Sequence, residues 1–150
     1  MALKQRVEDD MKAALLGGNR FAVQTLRGLK AAILNEEVAQ NKRDGGLTDD
    51  VIEQIIAKEV KKRNESAILY DQNDRQESAA DERREIEILS VYLPKQLSEL
   101  ELKSIIDDKV TEVGATDVKM MGQVIAAVKN DVGNTASGSV IARLVKEALN

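Results

Sequence analysis

Apolar residues recur three and four positions apart along almost the whole chain, and that spacing predicts helices. Leu3, Val7, Met11, Ala14 and Leu15 mark the first, and Gly17-Gly18 stops it, as glycine does just past a helix C-terminus. Asn19 is suited to cap a second helix running to about Gln40. Its apolar face is Ala22, Leu26, Leu29 and Ile33, flanked by Val23 and Leu34. Gly28 interrupts this pattern at a cost of about 1 kcal/mol against alanine. Close helix–helix approach is the favoured reason, and a ligand-facing backbone is the other. A polar loop, Asn41 to Gly46, then leads to Thr48, a cap with Asp49 and Asp50 in the first turn and Leu47 and Ile52 as its hydrophobic staple. The third helix buries Ile52, Ile55, Ile56, Val60, Ala67 and Ile68 and reaches about Tyr70.

The polar run Asp71 to Glu77 separates a fourth helix, which carries Ile86, Leu89 and Leu93 and stops at Pro94. Ser98-Glu99-Leu100-Glu101 is a capping box, with Leu97 and Leu102 as its staple. The fifth helix uses Leu102, Ile105, Ile106, the Lys109 stem and Val113, and Gly114 ends it. Asp117 is placed to cap a sixth, bearing Met121, Val124, Ile125 and Val128 and ended by Gly133. Ser137 or Gly138 opens a seventh, with Val140, Ile141, Leu144, Val145, Ala148 and Leu149. No segment of strand period competes. The expected fold is all-α: an elongated N-terminal part of about four helices over residues 1–94, then a compact three-helix domain over 95–150.

Composition narrows the chemistry. Aromatic residues are 2% of the chain, so the core must be aliphatic, and charged residues at 32% suit solvated helix faces. Without cysteine there is no disulfide, thiolate metal site or cysteine nucleophile; without histidine the commonest metal ligand and general base are gone. No cofactor or metal is expected. No apolar run approaches the roughly 20 residues needed to span a bilayer, and residues 1–8 lack a signal-like apolar segment, so the expected location is cytoplasmic. The net charge of −4 does not suggest general nucleic-acid affinity.

Candidate catalytic groups weigh little. Asp9-Asp10, Asp49-Asp50 and Asp107-Asp108 are adjacent on helices and cannot share a face. Lys62 and Ser66 have dyad spacing, but Lys61-Lys62-Arg63 reads as an exposed basic turn. Glu82, Glu85 and Glu87 lie beside Arg83 and Arg84, as surface ion pairs do. Two basic sets remain. One is Lys58, Lys61, Lys62 and Arg63, with Arg27 and Lys30 on a neighbouring helix. The other is Lys119, Lys129, Arg143 and Lys146, around Gly122 and Gly133.

Four segments together carry a resemblance. They are Leu26 to Glu37; Lys58 to Ser66 with Tyr70 and Arg75; Glu85 to Ser98 around Tyr92-Leu93-Pro94-Lys95-Gln96-Leu97-Ser98; and Met121-Gly122-Gln123-Val124 with Gly133 and Gly138. In order and spacing they resemble the YqeY-like family, whose members are similar to the C-terminal tail of the GatB subunit of tRNA-dependent amidotransferase. The resemblance implies a two-part helical module, non-catalytic by itself, that binds tRNA or a tRNA-handling partner. It points to Lys119, Gly122, Lys129, Asn134 and Arg143 as the nucleic-acid-binding residues. Participation in glutamine-dependent amide transfer, and a protein-interaction role for the long N-terminal helices, are the rival readings. One departure stands out. The family pattern Gly-Lys/Arg-Ala-Asp-Gly is replaced here by Gly133-Asn134-Thr135-Ala136-Ser137-Gly138, which keeps a capping residue and loses the loop's cation.

Overall fold

The structure is a computed structural model that describes residues 2–150. Its α-helices are α1 (Ala2–Leu16), α2 (Arg20–Ala39), α3 (Asp49–Gln72), α4 (Gln76–Ser90), α5 (Glu99–Val113), α6 (Met121–Val132) and α7 (Gly138–Leu149). Short 3-10 turns at Val118–Met120 and Gly133–Thr135 precede and follow α6. The chain divides into two compact units, Met1–Leu93 and Pro94–Asn150.

The first unit is elongated because α2 and α3 are 20 and 24 residues long, about 30 and 36 Å of helix. Its four helices form two hairpins. The pairs Lys4–Glu37 (2.7 Å) and Glu8–Lys30 (3.8 Å) run α1 antiparallel to α2. Arg63–Glu85 (2.8 Å) and Asp71–Arg83 (2.5 Å) join α3 to α4. Val7, Leu29, Ile33, Leu47, Ile52, Ile56 and Leu89 form the centre of the core. The second unit closes α5, α6 and α7 around Leu102, Ile106, Val124, Val128, Ile141, Leu144 and Val145.

Helix starts follow local capping chemistry. Side-chain oxygens of Asn19, Thr48, Ser98 and Ser137 accept from the backbone N–H of Ala22, Val51, Glu101 and Val140. Gly114 ends α5 in the left-handed region at φ 73°, where a side chain would be strained.

Several expectations are corrected. Asp117 caps the 3-10 turn through Lys119 N–H (2.9 Å) rather than α6 itself. The fourth helix ends at Ser90, because Tyr92 and Leu93 N–H groups reach back only three residues, to Leu89 and Ser90 carbonyls, tightening the chain before Pro94. Gly28 does not mark a close approach: a Cβ there would meet nothing within 4 Å. Ile68 is exposed, since α3 packs through fully buried Ala67, and the next residue turns about 100° away. Leu15 and Leu34, on the expected apolar faces of α1 and α2, are 65% and 44% exposed.

Candidate nucleic-acid interface

The turn between α6 and α7 is built from both sides. Gly133 takes φ 57°, ψ −132°, a conformation open to glycine because it lacks Cβ. Thr135 Oγ1 then donates to the Val132 carbonyl at 2.6 Å. The segment just after Pro94 braces the same turn. Leu97 N–H donates to the Thr135 carbonyl (2.8 Å), and Gln96 Nε2 donates to the carbonyls of Asn134 (3.0 Å) and Pro94 (2.8 Å). The Pro94-Lys95-Gln96-Leu97-Ser98 segment therefore does two jobs: it caps α5 and it holds the 133–138 turn. Periodicity in the sequence carries no sign of the second, because Gln96 and Asn134 are 38 residues apart.

Lys129, in the last turn of α6, meets that turn from the other side. A Cβ on Gly138 would lie 3.5 Å from Lys129 Nζ. The ammonium therefore lies beside the N-terminus of α7, a helix with no acidic residue in its first turn. Lys129 is exposed and has no acidic partner among the described residues. The N-terminus of α7, its capping Ser137 and the neighbouring ammonium thus lie together at one edge of the unit.

The other expected residues are dispersed. Lys119 is exposed in the 3-10 turn before α6, about 15 Å of helix rise from Lys129. Gly122 is exposed in the first turn of α6, with open space where a Cβ would point. Asn134 is half-buried in the braced turn. Arg143 bonds Glu99 on α5 and lies 3.4 Å from Glu147 on its own helix. The bond to Glu99 pushes the guanidinium pKa further up, and the side chain is engaged as an α5–α7 tie. The structure therefore brings Lys129 and Asn134 to one turn, ties Arg143 to Glu99 and leaves Lys119 and Gly122 at the far end of α6.

The N-terminal basic set is similarly divided. Arg63 is bound by Glu59 and Glu85, and Lys62 by Glu59, while Lys58 and Lys61 are exposed. Among the described residues no group of three or more acidic, histidine or cysteine side chains could hold a metal ion. No helix among them is long and apolar enough to cross a membrane.

Comparison with known proteins places these features in a lineage. Residues 4–149 match the family described as Yqey-like protein. The chain is similar to Altered inheritance of mitochondria protein 41, mitochondrial, of Clavispora lusitaniae, at 28% identity over 150 residues, covering 96% of this chain and 85% of that protein. The Kluyveromyces lactis protein of the same name is 32% identical over 91 residues, 61% of this chain and 46% of that protein. Both relatives are named mitochondrial, which overturns the cytoplasmic location expected from the first residues of the chain. With the family matched across nearly the whole chain and the all-helical two-unit fold in place, the chain belongs to the YqeY-like family.

Proposed function

We propose that the C-terminal unit of this YqeY-like module binds tRNA through the turn between α6 and α7. The observation that supports this reading is the exposed Lys129 ammonium beside the N-terminus of α7, at a turn braced by Gln96. Backbone N–H groups and a lysine converging on one surface suit a phosphate. Gly138 allows close approach there, and Asn134 supplies an amide on the same turn. Lys119 and Gly122 extend the footprint along α6, whereas Arg143 acts through the scaffold. Residues 94–150 carry seven basic and eight acidic side chains, so contact must be local rather than driven by overall charge.

Titrating labelled tRNA at low and moderate salt tests the proposal. Binding should weaken as salt rises, with each phosphate contact contributing about 0.7–0.9 to the logarithmic slope. Lys129→Glu should weaken binding at every salt concentration and lower that slope by about 1 or more. Absent binding, or affinity indifferent to salt and to Lys129→Glu, would refute it.

A further inference from the structure

Three aspartates lie outside the α-helices: Asp44, Asp74 and Asp117. Two of them are held. Asp117 Oδ1 accepts from Lys119 N–H at 2.9 Å. The amide that follows Asp74, Arg75 N–H, donates to the Tyr70 carbonyl at 2.8 Å. Asp44 is held at neither point. Among the described residues its carboxylate has no hydrogen-bond or ion-pair partner, and neither has the N–H of Gly45. Both residues are exposed, in the loop between α2 and α3.

Asp44 is also the one aspartate in the chain followed by glycine. The fold does not ask for glycine at 45. Gly46 takes φ 73°, in the left-handed region, whereas Gly45 has no positive φ, and a Cβ there would meet nothing within 4 Å. What the missing side chain leaves is an unshielded amide nitrogen next to a free carboxyl group. Bringing the two together requires rotation of the main chain at this pair. Glycine and an exposed loop tip both permit it.

We propose that Asp44-Gly45 is a site of spontaneous isomerisation to isoaspartate, which opens the turn between α2 and α3. The Gly45 nitrogen attacks Asp44 Cγ. A C–N bond forms, the carboxyl –OH and the amide proton leave as water, and a cyclic imide results. Water then opens the ring at one of its two carbonyls. Cleavage at Cγ restores aspartate. Cleavage at the main-chain carbonyl gives isoaspartate, in which the chain runs through the Asp44 side chain and the old main-chain carbonyl becomes the free carboxylate. The water lost on closure is regained on opening, no oxidant or cofactor is consumed, and the charge is unchanged. One extra methylene has entered the main chain. It falls inside the turn that Gly46 N–H closes on the Lys42 carbonyl at 2.7 Å, just before buried Leu47 and the capping Thr48.

The test ages the full chain in neutral buffer at physiological temperature, beside a free peptide of residues 41–47. Peptide mapping by mass spectrometry locates the imide, which is lighter by one water. Methylation by an isoaspartate-specific carboxyl methyltransferase counts the isoaspartate. The folded chain should convert at Asp44 within about tenfold of the peptide's rate, since exposed loops open at little cost. Asp74 and Asp117 should stay unconverted. Gly45→Val, whose β-branched side chain shields the nitrogen, should suppress conversion while circular dichroism and the thermal melt stay unchanged. In the isoaspartyl fraction, the Gly46 amide should exchange faster than in the parent. Asp44 intact while the peptide converts, equal conversion at Asp74 or Asp117, or Gly45→Val ageing as fast as the parent would overturn the site. A Gly46 amide still protected in the isoaspartyl fraction would overturn the opening of the turn. The outcome is independent of tRNA binding, which concerns the other unit.

Discussion

Tyr92→Phe isolates one oxygen at the exit of α4. Tyr92 is 5% exposed, and its hydroxyl donates to Asp10 Oδ2 on α1 at 2.6 Å. The Arg6 guanidinium lies 4.9 Å from the ring centroid and also donates to the Val91 carbonyl at 3.3 Å. Phenylalanine keeps the ring, its burial and the cation–π contact, so only the hydrogen bond is lost. Bonds to charged acceptors contribute about 1.5–3 kcal/mol. Asp10 is half-buried and regains water once abandoned, which argues for the lower end, about 1.5 kcal/mol. Urea denaturation at neutral pH measures the loss. A cycle with Asp10→Asn should recover most of it as coupling between the two positions.

The same bond carries a pH signature. Burial first, then the hydrogen bond to Asp10, push the Tyr92 pKa well above its ordinary 10.0. Below that value the phenol is protonated in both folded and unfolded chains, and its contribution is complete. As pH rises past it, the unfolded chain releases the proton while the folded chain retains it, so the parent loses stability. Tyr92→Phe has no such proton. The stability gap between parent and variant should therefore be constant from pH 7 to 9 and narrow above about 10. A variant as stable as the parent at neutral pH, or a gap unchanged on crossing pH 10, would refute the reasoning.

Two further substitutions test the backbone and the braced turn. Gly28→Ala, in open space inside α2, should raise stability by about 1 kcal/mol, whereas Gly114→Ala, at φ 73°, should lower it by about as much; thermal melts of both variants decide the sign. Gln96→Ala should cost about 1 kcal/mol and speed amide exchange at Leu97 and through residues 133–138, with α1–α4 unaffected; unchanged exchange in that turn would mean that Gln96 does not hold it.

Much of this fold was legible because its signals are local. The caps at Asn19, Thr48, Ser98 and Ser137 depend on residues three positions away, and Gly114 on its own φ. The spacing of apolar residues identified the faces that meet in each core. It could not say which faces remain uncovered: Leu34 and Ile68 fit the period as well as Ile33 and Ile56 do, yet only the latter are buried. Period reports which side chains share a side of a helix, and coverage depends on neighbours remote in the chain. The tie from Tyr92 to Asp10 spans 82 residues and was invisible for the same reason.

The candidate site shows both limits at once. Sequence marked the 133–138 turn by what it lacks, a basic residue between its glycines, and on that ground the turn would have no cation to offer a phosphate. Folding answers this with a residue from outside the turn. Lys129 is four positions before Gly133, so the end of α6 carries its ammonium to Gly138, at the start of α7. Arg143, the stronger candidate by charge and hydrogen-bonding geometry, is meanwhile engaged by Glu99. On the proposed tRNA reading, positive charge at this turn is therefore supplied by α6 rather than by the loop. Lys129→Glu should then abolish more binding than Arg143→Ala does, although an inventory of residue types would rank them the other way.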